Sequence, residues 1–206
     1  LTWLGQWYPE DNENADTMYG DSARCQELVD DALMRRAVAS DPIGAGKLLV
    51  PLAGGHRQEL ADIDAVAASA EIMPAIAGSP TVMAVAVISP VALAAMSSND
   101  TAMSALAASQ VAMTALVANS AAMTAIAKSR IAMQAVIGSP VALNAVVASS
   151  TAMSAVVANS TAMQLVAASQ TAMAAIIANS TALNAVVSSQ TAMAAIIANS
   201  TALNAV

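Results

Sequence analysis

The chain has 206 residues, of which 57% are apolar and 10% are charged, and its formal net charge is −7. A nucleic-acid surface needs clustered Lys and Arg, and the adjacent pair Arg35-Arg36 does not supply one, so we expect no nucleic-acid partner. The single cysteine, Cys25, excludes an internal disulfide framework and a multi-cysteine zinc site.

The first sixty residues carry most of the charge and all of the aromatic side chains. We interpret residues 1–20 as loop or short strand. Residues 21–39 predict one helix, because their apolar residues follow a spacing of three and four, with Ser22 as the N-cap. The helix should end at Ser40-Asp41-Pro42, because a residue before proline is disfavoured in the helical region.

The next segment leads into the rest of the chain. Residues 42–55 are punctuated by glycine around a short apolar run, Leu48–Leu52, and carry no helix prediction. Gln58–Ala68 predicts a further helix. We therefore expect residues 1–60 to form a small mixed connector segment and residues 61–206 to form a separate repeat domain.

From residue 61 onward the chain repeats one ten-residue phrase, approximately Thr-Ala-Met-x-Ala-Val-Val-Ala-Asn-Ser. Fourteen complete copies run from Ala61 to Ser200, and a fifteenth breaks off at Val206, so we expect the chain to be a segment of a longer one. A fixed short period indicates stacked units rather than one globular core. The longest clean apolar run, Val82–Ile88, is too short for a membrane span, which needs about 20 residues.

The ninth position of every complete copy is Ser or Asn. Both are preferred N-cap residues, because their side chains accept hydrogen bonds from the free N–H groups of the first turn. Proline follows this position at Pro80, Pro90 and Pro140, and proline is favoured at the first helical position. Gly78 and Gly138 occupy position eight, where we expect a helix to end with a positive φ angle. Each copy therefore predicts a helix of about eight residues that ends at a sharp bend.

Positions two, three, six and seven fall on one side of such a helix and form an apolar face. A two-turn helix is unstable alone, so the copies should stack on one another. The predicted fold is therefore an all-α, solenoid-like stack of short helices with a ten-residue repeat. Thr171–Val186 recurs identically at Thr191–Val206, and position nine alternates Ser and Asn from Ser149 onward. These observations favour a twenty-residue superperiod, a very small helical hairpin.

A parallel β-helix is the alternative fold, because Thr, Val and Ile suit strands and the period is short. The Ala and Met content and the Ser-Pro starts favour helices instead. A single long helix or coiled coil is disfavoured, since ten residues fit neither the roughly 3.5-residue nor the roughly 3.67-residue periodicity. Pro74 lies at position four, inside a predicted helix, so we expect that copy to be distorted or partly unfolded.

No catalytic, cofactor-binding or metal-binding residue is predicted. Catalysis needs converging titratable groups, and the chain has one histidine and no charged residue after Arg130. His56, beside Arg57 in a glycine-rich segment, is interpreted as a solvated loop residue rather than a general base.

Four other groups of residues are interpreted as structural. Gly44-Ala-Gly-Lys47 lacks the spacing of a phosphate-binding loop. The pair Arg35-Arg36 is expected to cap the C-terminal end of its own helix. The methionine column could offer thioethers to copper(I), but methionine at a fixed helical position is typical of core filling. An acidic cluster is interpreted as a solvated loop rather than a weak cation site: Asp11, Glu13 and Asp16.

The repeat region resembles a known class of viral repeat. Runs such as Ser150-Thr-Ala-Met-Ser-Ala-Val-Val-Ala-Asn-Ser160 are similar to the decapeptide repeats of bacteriophage tail-fibre and tail-associated proteins, and the resemblance covers residues 61–206. It implies a structural virion component, a homotrimeric or other homo-oligomeric fibre that joins the tail to a distal receptor-binding tip. It implies other tail or baseplate proteins as partners, and a host receptor bound through a region not present in this chain.

The predicted function is therefore a repeat shaft or connector of a phage tail fibre or tail tip, located in the virion tail and supporting host attachment. Residues 1–60 would join it to the rest of the particle. The apolar, uncharged composition separately predicts self-association along a common axis, which a stable monomer would contradict. The alternative is a bacterial cell-surface adhesin stalk or an ice-binding repeat protein. Breaks in the Thr column, at Val91 and Ile131 among others, weigh against ice binding.

Overall fold

The computed structural model describes residues 22–50 and 62–203. Every element of regular secondary structure in those ranges is an α-helix and none is a strand, so the prediction of an all-α stack of short helices is confirmed. The β-helix alternative is not the fold of these residues. The helices in chain order are α1 Ser22–Asp30, α2 Ala32–Ala39, α3 Pro42–Leu49, α4 Ile63–Ala67, α5 Ile72–Gly78, α6 Pro80–Ala86, α7 Pro90–Ser97, α8 Asp100–Ala108, α9 Gln110–Ala118, α10 Ser120–Lys128, α11 Arg130–Gly138, α12 Pro140–Ala148, α13 Ser150–Val157, α14 Ser160–Ala167, α15 Gln170–Ile177, α16 Ser180–Val187, α17 Gln190–Ile197 and α18 Ser200–Leu203.

The single helix predicted over residues 21–39 is two helices, α1 and α2, separated by Asp31. The Asp31 backbone is extended, with φ −87° and ψ 127°. Its carboxylate accepts hydrogen bonds from the N–H groups of Leu33 at 2.8 Å and Met34 at 2.9 Å. An aspartate in this conformation starts a new helix, because it satisfies the free donors of the first turn. The predicted end before Pro42 is confirmed, since α2 ends at Ala39.

The glycine-punctuated segment forms a helix, α3, which its glycine pattern did not predict. Asp41 caps it by accepting from the Ile43 N–H at 3.0 Å, and Pro42 occupies the first turn. Asp41-Pro42 therefore starts this helix as Ser-Pro starts helices in the repeats: the first residue caps the helix and proline occupies its first position. Gly44 and Gly46 are buried within this helix, so Gly44-Ala-Gly-Lys47 is helical rather than a loop.

The helix predicted over Gln58–Ala68 is shorter where it is described. Asp62 caps α4 by accepting from the Asp64 N–H at 3.0 Å, and the helix ends at Ala67. The part of the prediction on residues 58–61 lies outside the described residues, as do the predictions for residues 1–20.

Pro74 shortens its helix instead of unfolding it. Helix α5 begins at Ile72, with Ala70 and Glu71 in a turn ahead of it. This late start places Pro74 in the first turn, where a helix does not use the backbone N–H that proline lacks. The copy is distorted as predicted, but its helix forms.

The two position-eight glycines do not have the predicted conformation. Neither Gly78 nor Gly138 has a positive φ angle, and each is the last residue of a helix. The turn is made one residue later, at Ser79 and Ser139, whose backbones are extended. The prediction of left-handed glycine caps was therefore wrong.

The chain divides into two compact units, Leu1–Ala105 and Leu106–Val206, and the boundary lies inside α8. In the second unit, α11 and α12 are bent by 102° at their junction, and α14 and α15 by 98°. Because each bend is about 100°, the chain completes one full turn after three to four helices, and helices three copies apart pack against each other. Such contacts join α9 to α12, α10 to α13, α11 to α14, α12 to α15, α13 to α16 and α14 to α17.

Helices three places apart also meet in the first unit, where α2 packs on α5, α3 on α6 and α4 on α7, but α3 packs on α5 as well, only two places further on. We call three consecutive helices a coil. Helices in both units therefore pack on the helix three places further along the chain, whereas the sequence repeats most closely every two copies. The division predicted at residue 60 falls in residues 51–61, outside the described residues.

The predicted apolar face is the core of the stack. Position two is Ala in every described copy from Ala92 onward, and these alanines are fully buried. Position three holds methionines such as Met113 and Met123, which are also fully buried. Position six is buried from Val66 to Ile196. Small alanines let neighbouring helices approach closely, and the flexible methionines fill the remaining space.

Candidate functional site

The column of Ser and Asn at position nine caps the helices, as predicted. Each side-chain oxygen accepts a hydrogen bond from the backbone N–H three residues further on, at 2.9 to 3.4 Å. This contact satisfies one of the free donors at each helix start. The capping residues are Ser69, Ser79, Ser89, Asn99, Ser109, Asn119, Ser129, Ser139, Ser149, Asn159, Ser169, Asn179, Ser189 and Asn199.

Serines of the same column also join one coil to the next. Ser149 Oγ donates to the carbonyl oxygen of Val117 at 3.0 Å, and Ser189 Oγ donates to that of Val157 at 2.8 Å. Ser139 Oγ donates in the same way to Ala107. Each acceptor lies thirty-two residues earlier, at position seven of the copy three before.

The accepting carbonyls lie in the last turns of their helices. The last four carbonyls of an α-helix have no partner within the helix, so a buried helix end needs donors from elsewhere. Val117 lies near the end of α9, and Val157 is the last residue of α13. The serine hydroxyl supplies the missing donor while its lone pair accepts from its own helix.

This second role of the cap column was not predicted. The Ser and Asn pattern signals capping, but nothing in a ten-residue period shows which copies will meet. Helices pack three copies apart, whereas Ser and Asn alternate every second copy. Ser149 therefore donates to Val117, two residues before Asn119, and Ser189 donates to Val157, two residues before Asn159. From Ser149 onward, capping residues three copies apart are therefore one Ser and one Asn: Ser149 with Asn179, Asn159 with Ser189, and Ser169 with Asn199.

Arg35 forms the main polar cluster of the described N-terminal segment. Its Nη1 donates to the carbonyl oxygens of Val29 at 2.7 Å and Asp30 at 3.0 Å, and its Nε lies 3.3 Å from Glu71 Oε2. Arg35 therefore caps the C-terminal end of α1, the preceding helix, rather than its own helix as predicted. Arg36 lies in the last turn of α2, where a cation is favourable.

The Glu71 carboxylate fixes this cluster to the start of the repeats. A hydrogen bond from its own backbone N–H lowers the pKa of Glu71 most. The charge of Arg35 and hydrogen bonds from Ser69 and Arg35 lower this pKa further, and desolvation opposes them. The carboxylate is thus held in its charged form. The arrangement anchors helices and offers no free acid or base.

The other residues considered for chemistry are buried or lie outside the described ranges. Cys25 is buried in α1. Among residues 22–50 and 62–203, no group of three or more His, Cys, Asp or Glu side chains could hold a metal ion. The interpretations of several residues remain predictions, because the structure does not describe them: Asp11, Glu13, Asp16, His56 and Arg57.

An open depression of about 450 Å³ lies in the first unit. It is lined mainly by apolar groups, including Ile63, Pro90 and Val91, and also by Asp64 and Ser98. A ligand site needs several converging polar groups to orient a ligand, and this lining supplies few.

The sequence matches no protein family model, and no curated protein is significantly similar to it. Within the described residues, no single helix is both long enough and apolar enough to cross a membrane. Four pairs of consecutive helices, each sharply bent at its junction, meet that length and hydropathy only when the two helices are taken together.

Proposed function

We propose that this chain is a non-enzymatic structural protein whose coils serve as the shaft or connector of a bacteriophage tail fibre or tail tip. The observation that carries the proposal is the equivalence of successive coils. Each helix from α9 to α17 repeats the same cap, the same buried residues at positions two and six and a contact with a helix three places away. Such a stack lengthens by adding copies without any new kind of interface, which is what a spacer requires.

The outward-facing columns support a spacer rather than a binding site. Positions four, eight and ten are exposed and hold mostly small or uncharged polar residues, such as Asn144, Ser154 and Gln164. No charged residue follows Arg130. A surface of this kind offers few groups for tight, specific recognition, which depends on buried aromatic, arginine or paired polar contacts.

The resemblance of the repeats to phage decapeptides supplies the biological setting. In that setting the chain assembles as a homotrimer or another homo-oligomer, with other tail or baseplate proteins as partners. Residues 1–60 connect it to the particle, and the host receptor is bound elsewhere. The ice-binding alternative is less favoured, because position one is not Thr in several copies, among them Val91, Val111 and Ile131.

Mass spectrometry of purified virions, with immunogold electron microscopy, tests the proposal. We expect peptides of this chain in the virion fraction and gold particles along the tail or its fibres. Recovery of the chain only from the bacterial cell envelope would contradict the proposal and support an adhesin stalk. Thermal hysteresis of the purified chain would support ice binding instead.

A further inference from the structure

Two large apolar side chains interrupt the outward-facing columns in the first unit. Position eight is exposed in every described copy and holds Ala, Gly, Ser or Lys, except at Ile88, which is 68% exposed. Position one of the next copy is Val91, which is 64% exposed, whereas Val111 and Val141 in the same column are half-buried. Ile88 is therefore exposed because its column faces outward in all copies, and not because a neighbouring coil is lacking.

Val91 also lines the open depression of the first unit, which has a volume of about 450 Å³. The depression lies beside the start of α4, at Ile63, and along α7, which packs on α4. Ala94, one turn after Val91, is exposed and belongs to the same lining. An apolar side chain placed here would remove exposed apolar surface of both helices from water.

The polar groups of the lining suit a hydrogen-bond donor. Ser98 Oγ donates to the carbonyl oxygens of Ala94 at 2.8 Å and Ala95 at 3.1 Å, so its lone pairs are what it offers to an incoming group. Asp64 adds an exposed carboxylate, which accepts hydrogen bonds. The indole ring of tryptophan is a large apolar body with a single N–H donor. The depression therefore matches tryptophan in both its apolar and its polar groups.

The only tryptophans of this chain, Trp3 and Trp7, lie in a segment that joins the described structure close to the depression. This segment, residues 1–21, precedes α1 and lies outside the described residues. In α1, Gln26 Oε1 accepts a hydrogen bond from the backbone N–H of Asp62 at 2.9 Å. Asp62 directly precedes α4, whose start lines the depression.

The connection is long enough for the tryptophans to reach the depression. Fourteen residues separate Trp7 from Ser22, the first residue of α1. An extended chain of that length spans about 46 Å, and Gln26 lies only about 6 Å along α1 from Ser22. A short flexible tether gives an effective concentration on the order of millimolar, so a contact too weak for a free peptide is populated within one chain.

We propose that residues 1–9 of this same chain dock into the depression and place a tryptophan ring against α4 and α7. None of these nine residues has a charged side chain, so they meet Asp64 without like-charge repulsion. The five acidic residues of the segment all lie between them and α1. This inference goes beyond the proposed function and does not depend on it.

Tryptophan fluorescence of the full chain tests the proposal, because Trp3 and Trp7 are the only tryptophans and both belong to the docking segment. We expect the emission of the folded chain to lie at shorter wavelength than that of the chain unfolded in urea. Acrylamide should also quench it more slowly in the folded chain. Both readings should be independent of protein concentration, because the docking is intramolecular.

The deciding variant carries Val91→Thr and Ala94→Gln. Thr and Gln occupy the same positions in other copies, at Thr151 and Gln164, so the stack should still fold, as circular dichroism would verify. The substitutions remove an apolar contact and fill part of the depression, and should weaken docking by about tenfold. The matched control is Leu33→Gln, at a residue 74% exposed in the same unit but outside the depression, and it should leave the fluorescence unchanged.

Cross-linking locates the contact independently of fluorescence. A short bifunctional thiol reagent should join Trp7→Cys to Ala94→Cys within one chain faster than it joins Trp7→Cys to Leu33→Cys. Solvent-exposed tryptophan emission in the folded wild type would overturn the proposal. Protected emission that the Val91 and Ala94 substitutions do not change would also overturn it, by placing the segment elsewhere. Protection that appears only as the protein concentration rises would overturn it in favour of a second copy of the chain.

Discussion

The hydroxyl of Ser149 donates a hydrogen bond to the carbonyl oxygen of Val117 and accepts one from the N–H of Ala152. The first contact joins two coils and the second starts a helix. One side chain therefore couples local helix formation to the stacking of the repeats. At Ser149 this coupling stabilises a helix of about two turns, which would be unstable in isolation.

Ser149→Ala should destabilise the second unit by about 1.5 to 3 kcal/mol, because it removes a cap worth about 0.5 to 2 kcal/mol and a further hydrogen bond of about 1 kcal/mol. Ser149→Asn keeps a capping acceptor and should cost less. The measurement is urea unfolding followed by circular dichroism. Ser154→Ala, at an exposed serine whose hydroxyl bonds only within its own helix turn, should change stability by less than about 0.5 kcal/mol. Equal losses for Ser149→Ala and Ser154→Ala would contradict the dual role.

Met123→Ala should cost about 2 to 5 kcal/mol, since Met123 is fully buried and its truncation leaves a cavity between helices. Met123→Leu should cost less than about 1.5 kcal/mol, because it conserves volume and other copies carry Leu at position three. Thermal unfolding of both variants beside the exposed control Asn144→Ala provides the measurement. A harmless Met123→Ala would mean that the methionine column is not core.

Gly138→Ala should stabilise the chain by about 0.4 to 1 kcal/mol. Gly138 lies in a helix, has no positive φ angle, and a Cβ added there would meet nothing within 4 Å. Alanine loses less backbone entropy on folding and has the higher helix propensity. Gly78→Ala is the parallel test in the first unit. Destabilisation by Gly138→Ala in an unfolding titration would show that the helix ends through a left-handed glycine after all.

Glu71→Gln should destabilise the first unit at neutral pH but not in acid. Because the pKa of Glu71 is lowered in the folded chain, the charged carboxylate stabilises the fold above its ordinary value of 4.5. This stabilisation is lost as the pH falls through the lowered pKa, so the two chains should converge in stability below pH 4.5. Unfolding midpoints across that range measure it. In an Arg35→Gln background, Glu71→Gln should change the stability less. A stability difference between wild type and Glu71→Gln that is the same at all pH values would contradict a stabilising role for the Glu71 charge.

The sequence predicted the local structure of the repeats better than their packing. Cap, helix length and apolar face follow from single copies, because Ser89, Asn119 and their equivalents act on the turn beside them. The three-helix period depends on the bend between helices and on contacts thirty-two residues apart, such as that of Ser149 with Val117. No pattern within one copy encodes that distance.

In the N-terminal segment, polar capping side chains start helices at places that the hydrophobic pattern did not predict. Asp31 and Asp41 accept from the N–H groups that follow them and start new helices, where the pattern predicted one long helix and a glycine-rich segment. Both are Asp at a helix start, and Asp is as favourable an N-cap as the Ser and Asn of the repeats, so both helix starts are predictable from the sequence. The partner of Arg35 could not be predicted, because Glu71 is thirty-six residues away.

The most direct test of the three-helix period is an intramolecular cross-link between position seven and position nine of different copies. Val117→Cys combined with Ser149→Cys should react with a short bifunctional thiol reagent within one chain, as seen by mass spectrometry of the monomer band. Val117→Cys with Ser139→Cys, two copies apart, or with Asn159→Cys, four copies apart, should react far more slowly. Preferential cross-linking to either of those positions would contradict the stacking of helices three copies apart.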